Sequence, residues 1–240
     1  MLDVALVMPV CNEEACIADV VHSWHRLLSS LNVEFQMIVL NDGSRDGTRE
    51  ALSAFANEQR IRVVNKPNSG HGPTILMGYR EAVDLAEWVF QCDSDDEMKA
   101  DHFPELWRVR DRYDAVFGFR QGRHQNVARK VISACSRLTV HLLFGMAVTD
   151  VNTPYRLMRA RSIREIIAAL PDDSFAPNVI ISGALASSGA RICNCPVPHE
   201  GRRTGSVSIV KWKLWKAALK SFRQTLQCRR SFRRKNRPRA

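Results

Sequence analysis

The sequence predicts an α/β domain in which a mostly parallel sheet lies between helices. Short apolar stretches typical of buried strands alternate with segments whose apolar residues recur every three or four positions, as in amphipathic helices. Polar loops, several of them rich in glycine, follow four of these strands. The 240 residues, of which 45% are hydrophobic and 25% charged, suit one such domain with a substantial core.

The strands and helices are expected in regular alternation along the chain. Apolar residues 4–8 indicate a first buried strand, and the spacing of apolar residues over 17–31 indicates a helix. Pro73 suits the first turn of another helix. Further strands are expected at 35–40, 61–64, 88–92, 115–119, 155–158 and 191–197, and further helices at 73–86, 103–112 and 127–144.

The net charge of +10 comes from the C-terminal part of the sequence. Residues 202–240 contain 14 Lys and Arg and no acidic residue, whereas residues 1–201 are mildly acidic. Apolar residues recur at helical spacing between lysines in this part: Trp212, Trp215, Leu219, Phe222 and Leu226. We therefore expect a basic amphipathic helix over 207–228 on an anionic membrane surface, followed by a disordered basic tail over 229–240.

Two other interpretations of the basic segment remain open. Its aromatic stripe could pack on the core of the domain, or the segment could bind RNA. No recognised nucleic-acid fold accompanies it, so nucleic acid is not an expected partner.

The cysteines and the hydropathy pattern indicate the compartment. Seven scattered cysteines without a C-x-x-C pair argue against a disulfide framework or a zinc site and favour a reducing environment. The sequence shows no signal-peptide pattern and no apolar stretch of 18 residues. We expect a cytoplasmic protein that lies peripherally on the inner face of the membrane.

Four polar segments follow the first four predicted strands. These segments read MPVCNEE, LNDGSRDGT, NKPNSGHGP and QCDSDDE. Because ligands of open α/β sheets bind at the carboxyl ends of parallel strands, the four segments are expected to share one edge of the sheet.

The acidic segment after the fourth strand is a candidate metal site. Asp93, Asp95 and Glu97 alternate, with Asp96 between two of them, and alternate side chains of an extended chain point the same way. Such carboxylates can hold Mg²⁺ or Mn²⁺, whose remaining ligands are usually substrate phosphates. The competing interpretation is a solvated acidic loop that caps the helix near Asp101.

Other polar residues are candidates for binding but also have ordinary structural explanations. Asp42 could accept hydrogen bonds from a nucleobase or ribose, or could simply stabilise a turn. Gly70 and Gly72 permit close approach of a ligand to the backbone. Asp150 suits a buried structural role and an active-site role equally. Several arginines could bind phosphate or lie on the surface: Arg120, Arg123, Arg129, Arg202 and Arg203.

These segments together resemble family 2 glycosyltransferases, specifically the branch of dolichol-phosphate mannose synthases and bacterial polyprenyl-phosphate glycosyltransferases. MPVCNEE resembles the P-x-Y-N-E opening of that family, with Cys11 in place of tyrosine, and LNDGSRDGT resembles its D-D-G-S-x-D-G-T. QCDSDDE is similar to its D-x-D-x-Q, with Glu97 in place of glutamine. NSGHGPTILMGYREA, TDVNTPYRLMRA and PHEGRRTGSVS resemble its glycine-containing loop, its D-x-x-x-x-F-R-L segment and its late R-x-x-G-x-S.

The resemblance implies a GT-A fold over residues 1–206 and assigns roles to individual residues. It implies that the nucleotide-sugar is bound by Pro9, Glu13, Asp42, Gly70, Asp93, Arg202 and Arg203. It places the metal at Asp93, Asp95 and Glu97, and the acceptor phosphate at Arg120, Arg129 and Ser133. Asp95, Asp150 and Arg129 are the implied catalytic residues.

The implied reaction is an inverting transfer of sugar from a UDP- or GDP-sugar to a polyprenyl or dolichyl phosphate, with Mg²⁺ or Mn²⁺. A phosphate monoester needs no general base, because its second pKa is near 6. A saccharide or protein hydroxyl would need one, for which Asp150 or Asp96 is the candidate. A sugar nucleotidyltransferase would show a G-x-G-x-R loop after the first strand, which MPVCNEE is not.

The remaining alternative is a non-catalytic membrane or RNA adaptor that retains the transferase fold. A homo-oligomer or a separate membrane partner is also compatible with the sequence.

Overall fold

The computed structural model describes residues 1–121 and 151–198, in which strands and helices alternate. The strands are β1 (Leu2–Val10), β2 (Phe35–Asp42), β3 (Ile61–Lys66), β4 (Ala86–Gln91), β5 (Ala115–Gln121), β6 (Arg156–Arg159) and β7 (Ile192–Pro198). The helices are α1 (Ile17–Ser30), α2 (Thr48–Ser53), α3 (His71–Leu85), α4 (Phe103–Val109), α5 (Ala160–Ala168) and α6 (Pro177–Ser187). Short 3₁₀ turns, Ala100–His102 and Arg110–Arg112, flank α4.

The described strands form one sheet in the order β3-β2-β1-β4-β6-β5-β7. β3, β2, β1 and β4 are mutually parallel, and β5 and β7 are parallel to each other. β6 is antiparallel to both of its neighbours, β4 and β5. The predicted mostly parallel sheet is therefore confirmed, with β6 as the exception.

Two apolar layers cover the faces of the sheet. Successive side chains of a strand point to opposite faces, so Val7 of β1 packs on one side and Leu6 on the other. The first layer is contributed by α3, α5 and α6, and the second mainly by α1 and α4. Because β1 lies between two strands and two layers, it is almost continuously apolar, which explains why it is recognisable in the sequence.

Three helices were not expected from the sequence, namely α2, α5 and α6. In α6, every residue from Pro177 to Leu185 is buried, so the helix shows no alternation between apolar and polar faces. α2 has only six residues and begins at the end of the turn-rich segment NDGSRDGT. The helix predicted at 127–144, the basic helix at 207–228 and the tail at 229–240 lie outside the described residues.

Within residues 1–121 and 151–198, no helix has the length and apolar character needed to cross a membrane.

Candidate functional site

The loops that follow the first four strands meet at one edge of the sheet. The backbone N–H of Asn12 donates to Oγ of Ser44 at 2.9 Å, and the backbone N–H of Arg45 donates to Oδ1 of Asn12 at 2.8 Å. The third loop joins them through Nδ2 of Asn68, which donates to the carbonyl oxygen of Asp42 at 2.7 Å. The common edge expected from parallel strands is therefore present.

Pro9 and Glu13 lie near the first of these loops. Pro9 is a buried residue of β1 and is paired with Leu40 of β2. Proline has no backbone N–H to donate to a neighbouring strand. The pairing of β1 with β4 ends at Val7, so Pro9 interrupts no hydrogen bond between these two strands. Glu13 is 7% exposed, and the thiol of Cys16 lies 3.6 Å from its Oε2. Both predicted donor-site residues therefore lie at the predicted edge, with limited exposure.

The carboxylate of Asp42 is held by the loop after β3. Oδ1 accepts hydrogen bonds from the ammonium group of Lys66 and from the backbone N–H of Ser69, and Oδ2 accepts one from the backbone N–H of Gly70 at 2.9 Å. Burial alone would raise the pKa of Asp42, but these hydrogen bonds and the Lys66 charge lower it below its usual value. Asp42 is therefore a buried anion that anchors this loop.

Lys66 is a residue of this site that sequence inspection does not single out. The β2–β3 register places it directly opposite Asp42. Its ammonium also donates to Oγ of Ser69 at 2.7 Å, to the carbonyl oxygen of Pro67 at 3.0 Å and to Oγ1 of Thr74 at 3.0 Å. One side chain thus joins β2, the β3–α3 loop and the first turn of α3.

Asp93, Asp95 and Glu97 line one depression of the surface together with Arg120 of β5. The backbone N–H of Glu97 donates to Oδ1 of Asp95 at 3.2 Å, in a tight turn where Asp96 has a φ of 56°. In the part of the chain that the structure describes, no three His, Cys, Asp or Glu side chains are arranged so that they could hold a metal ion together. Hard carboxylate oxygens nevertheless suit Mg²⁺ or Mn²⁺, which commonly take one or two carboxylates and complete their shell with phosphates and water.

Asp93 contacts both its own strand and α3. Nε2 of Gln91 donates to its Oδ1 at 3.1 Å, and Nε2 of His71 lies 3.7 Å from the same oxygen. His71 is the first residue of α3 and follows Gly70, whose φ of 93° is favourable only for glycine. The loop that holds Asp42 therefore also reaches the carboxylates after β4.

A buried polar network behind Asp93 also escapes sequence inspection. It consists of Gln91, Tyr79 of α3, Asn178 of α6 and Arg156 of β6, each at most 3% exposed. The one sequence signal of this network is a pair of polar residues in the apolar helix α6, Asn178 and Ser182, which lie four positions apart. The four residues of the network come from four separate elements, so their contact depends on the tertiary structure.

Five of the predicted site residues lie outside the described residues: Arg129, Ser133, Asp150, Arg202 and Arg203. The same holds for Arg123. The structure brings together the remaining predicted residues at the edge formed by β1–β5, in two groups. One group surrounds Asp42, and the other surrounds Asp93.

A sheet with this strand order, helices on both faces and an acidic loop after β4 defines the class of α/β proteins with a GT-A-like fold. The sequence comparison then identifies the family. The family model described as Glycosyl transferase family 2 matches residues 5–167, and the chain belongs to this family.

The curated relatives include enzymes that are named for a lipid-phosphate acceptor. The chain is 28% identical over 207 residues to the undecaprenyl-phosphate 4-deoxy-4-formamido-L-arabinose transferase of Pseudomonas paraeruginosa, covering 84% of this chain and 59% of that protein. It is 24% identical over 215 residues to the transferase of the same name from Yersinia enterocolitica, covering 88% and 64%. The chain therefore spans about three-fifths of the length of these relatives.

Solved structures support the same fold. Glucosyl-3-phosphoglycerate synthase from Mycobacterium tuberculosis, in complex with Mn²⁺, UDP and phosphoglyceric acid, superimposes with a TM-score of 0.70 at 18% identity. The match covers 95% of this chain and 78% of that one. A complex of the same enzyme with UDP gives a TM-score of 0.66 at 17% identity, over 95% and 80%. At these identities the likeness concerns the fold.

Proposed function

We propose that this chain is the catalytic domain of an inverting glycosyltransferase that moves a sugar from a UDP- or GDP-sugar to a polyprenyl phosphate. The observation that carries the proposal is the depression shared by Asp93, Asp95, Glu97 and Arg120. Carboxylates and a guanidinium group in one depression suit a donor diphosphate with its cation beside an anionic acceptor. The names of the curated relatives support undecaprenyl phosphate as the kind of acceptor.

The donor would bind at the edge formed by the first three loops. Pro9, Glu13 and Asp42 lie there, and Gly70 brings its backbone N–H to the same place. Arg202 and Arg203 would cover the donor phosphates, as the family resemblance implies.

The carboxylates after β4 would hold a divalent cation. Asp93 and Asp95, with Glu97, offer the oxygen ligands that Mg²⁺ and Mn²⁺ prefer. When bound, the cation would neutralise the developing charge of the diphosphate leaving group. A solved relative of the same fold contains Mn²⁺ together with UDP.

Arg120 would hold the acceptor phosphate close to the donor, together with Arg129 and Ser133. A phosphate monoester is largely dianionic at pH 7, so its oxygen can attack the anomeric carbon without a general base. The bond from this carbon to the diphosphate oxygen breaks, and the nucleoside diphosphate leaves. The protein's task is then to align the two substrates and to compensate their charge, while Asp150 would orient the acceptor or the sugar.

The basic segment at 207–228 would keep the enzyme at the surface where its lipid acceptor lies. Lysines and interfacial tryptophans suit an anionic leaflet, which makes the inner face of the cytoplasmic membrane the proposed location. A second copy or a membrane protein could complete this arrangement.

Transfer of radiolabelled sugar tests the proposal. Purified protein would be incubated with Mn²⁺ or Mg²⁺, a panel of UDP- and GDP-sugars, and undecaprenyl or dolichyl phosphate. We expect label in the organic phase and its loss on addition of EDTA. Hydrolysis of the donor without lipid product would indicate a saccharide or protein hydroxyl as the acceptor. No reaction with any member of the panel would favour a non-catalytic membrane or RNA adaptor.

The acceptor role of Arg120 has a matched control in the exposed Arg112. Arg120→Ala is expected to raise the KM for the lipid phosphate at least about tenfold, since it removes a charge-assisted contact to phosphate. Arg112→Ala is expected to leave this KM unchanged. Equal values for the two variants would remove Arg120 from the acceptor site.

A further inference from the structure

We infer that Gln91, Tyr79 and Asn178 are positioning residues that hold the carboxylate of Asp93 in place for a divalent cation. This inference rests on the proposed function, because it concerns the same metal site. The three residues come from β4, α3 and α6 and are at most 3% exposed. They connect a residue of the site to the interior of the domain.

Gln91 is the link that contacts Asp93. Its Nε2 donates to Oδ1 of Asp93 at 3.1 Å, and the side chain is fully buried at the end of β4. Among the described residues, Gln91 and His71 both approach Oδ1 of Asp93. A carboxylate held through one oxygen can present the other to a cation.

Tyr79 and Asn178 fix the orientation of the Gln91 amide. Nδ2 of Asn178 donates to Oε1 of Gln91 at 2.9 Å, and the Tyr79 hydroxyl lies 3.2 Å from the same oxygen. The hydroxyl donates to Oδ1 of Asn178 at 2.9 Å. Because an amide has one accepting and one donating end, Oε1 of Gln91 accepts from Nδ2 of Asn178 and Nε2 faces the carboxylate of Asp93, which can only accept.

The far end of the network is the buried guanidinium of Arg156. Its Nη1 donates to the carbonyl oxygen of Asn178 at 3.2 Å, and its Nη2 donates to that of Val151, also at 3.2 Å. Oγ of Ser182 donates to the same Val151 oxygen at 3.0 Å. The network therefore extends from Asp93 to Val151, the residue that follows Asp150 in the sequence.

Packing alone does not explain the network, because Tyr79 belongs to a core layer whose other members are apolar. Ile75, Val89 and Ile181 belong to the same core layer as Tyr79, where leucine or phenylalanine would pack without polar atoms. A buried polar group costs free energy unless it is hydrogen-bonded, so a set of matched partners indicates a demand for fixed geometry. Burial raises the pKa of Tyr79, so its hydroxyl remains a neutral donor.

Manganese binding, followed by electron paramagnetic resonance of free Mn²⁺, tests the inference without turnover. Wild-type protein would be titrated with Mn²⁺ in the presence of UDP and, separately, of GDP. We expect Gln91→Leu to weaken Mn²⁺ binding about tenfold to 100-fold, the usual effect of losing a partner of a metal ligand. Tyr79→Phe removes only the hydroxyl and is expected to weaken binding by a smaller factor in the same direction.

Tyr155→Phe is the matched control for Tyr79→Phe. The Tyr155 hydroxyl is also buried and donates to the carbonyl oxygen of Lys99 at 3.0 Å, but it lies in the opposite core layer. Both variants lose one hydrogen bond of a buried phenol, so they are expected to lower the melting temperature similarly. Only Tyr79→Phe is expected to change the affinity for Mn²⁺.

The outcomes separate this inference from the proposed function. Wild-type binding of Mn²⁺ that is lost in Asp93→Ala, together with unchanged affinity in Gln91→Leu and Tyr79→Phe, would overturn the inference and keep the metal site. Failure of the wild type to bind Mn²⁺ with either nucleotide would overturn both. If Gln91→Leu does not fold, Tyr79→Phe measured against Tyr155→Phe decides.

Discussion

Lys66 and Asp42 face each other across the β2–β3 pair, and the lysine ammonium donates a hydrogen bond to Oδ1 of the aspartate. The two side chains are only 14% and 5% exposed. The same carboxylate accepts the backbone N–H groups of Ser69 and Gly70, so the ion pair sits at the base of the β3–α3 loop. Removal of either charge would leave its partner buried and would loosen this loop.

Lys66→Met is expected to lower the free energy of unfolding by about 3 kcal/mol, because Asp42 would lose its buried counter-ion. The loosened loop is also expected to weaken binding of UDP or GDP. Urea unfolding and calorimetric titration with each nucleotide measure the two effects. Arg62→Met is the control. Arg62 lies on the same strand, and its exposed side chain forms an ion pair with the partly buried Glu81, for which we expect about 0.5 kcal/mol. Equal losses in both variants would contradict the anchoring role.

Asp42 is expected to make stability depend on acidity below about pH 4. The pKa of Asp42 in the folded protein is lower than the ordinary value of 3.8. The charged carboxylate therefore stabilises the folded protein fully above pH 3.8, and this stabilisation is lost as the pH falls through the pKa of the folded state. Asp42→Asn should therefore be less stable than the wild type at pH 7, and the difference should shrink below about pH 4. Urea unfolding at pH 7, 5, 4 and 3 measures this. Asp19→Asn, which changes an exposed residue of α1, provides the comparison. A difference that stays constant in Asp42→Asn down to pH 3 would refute the linkage.

Asp95→Ala is expected to reduce the rate of sugar transfer about 100-fold or more, because a cation on the leaving diphosphate contributes several kcal/mol to the transition state. Its melting temperature should change little, since the residue lines a surface depression. Initial rates with saturating Mn²⁺ test this. Asp101→Ala removes an exposed carboxylate six residues later and should retain wild-type rates. Wild-type turnover in Asp95→Ala would remove this residue from the proposed metal site.

Arg156→Leu is expected to lower the free energy of unfolding by about 3 kcal/mol, because it leaves buried acceptors without a donor. The substitution takes a hydrogen-bond donor from the buried carbonyl oxygens of Val151, Thr153 and Asn178, and it removes the stacking of the guanidinium over Phe117 at 4.7 Å. Chemical denaturation measures the change. Arg161→Leu, at an exposed position of α5, is the control, and its free energy of unfolding should stay within about 0.5 kcal/mol of the wild type. An equally small change in Arg156→Leu would contradict the prediction.

The sequence alone determined the parallel half of the sheet and the loops at its edge. Residues 4–10 of β1 and 37–40 of β2 are continuously apolar because both faces of these strands are buried, and the polar residues that come next therefore mark the strand ends. The same local signals predicted Asp42 and Asp93 as site residues, and the structure places both at this edge of the sheet. They did not reveal α6, whose burial on all sides removes the helical periodicity that sequence reasoning requires.

Only the tertiary structure decided which side chains meet at these loops. Lys66 becomes the partner of Asp42 through the β2–β3 register, and Asn178 reaches Gln91 across 87 positions of the sequence. Local periodicity reports whether a residue faces the core, and it carries no information about which distant residue lies opposite. Hydrogen bonds between such residues depend on distances of about 3 Å, which are fixed only when the strands and helices pack together.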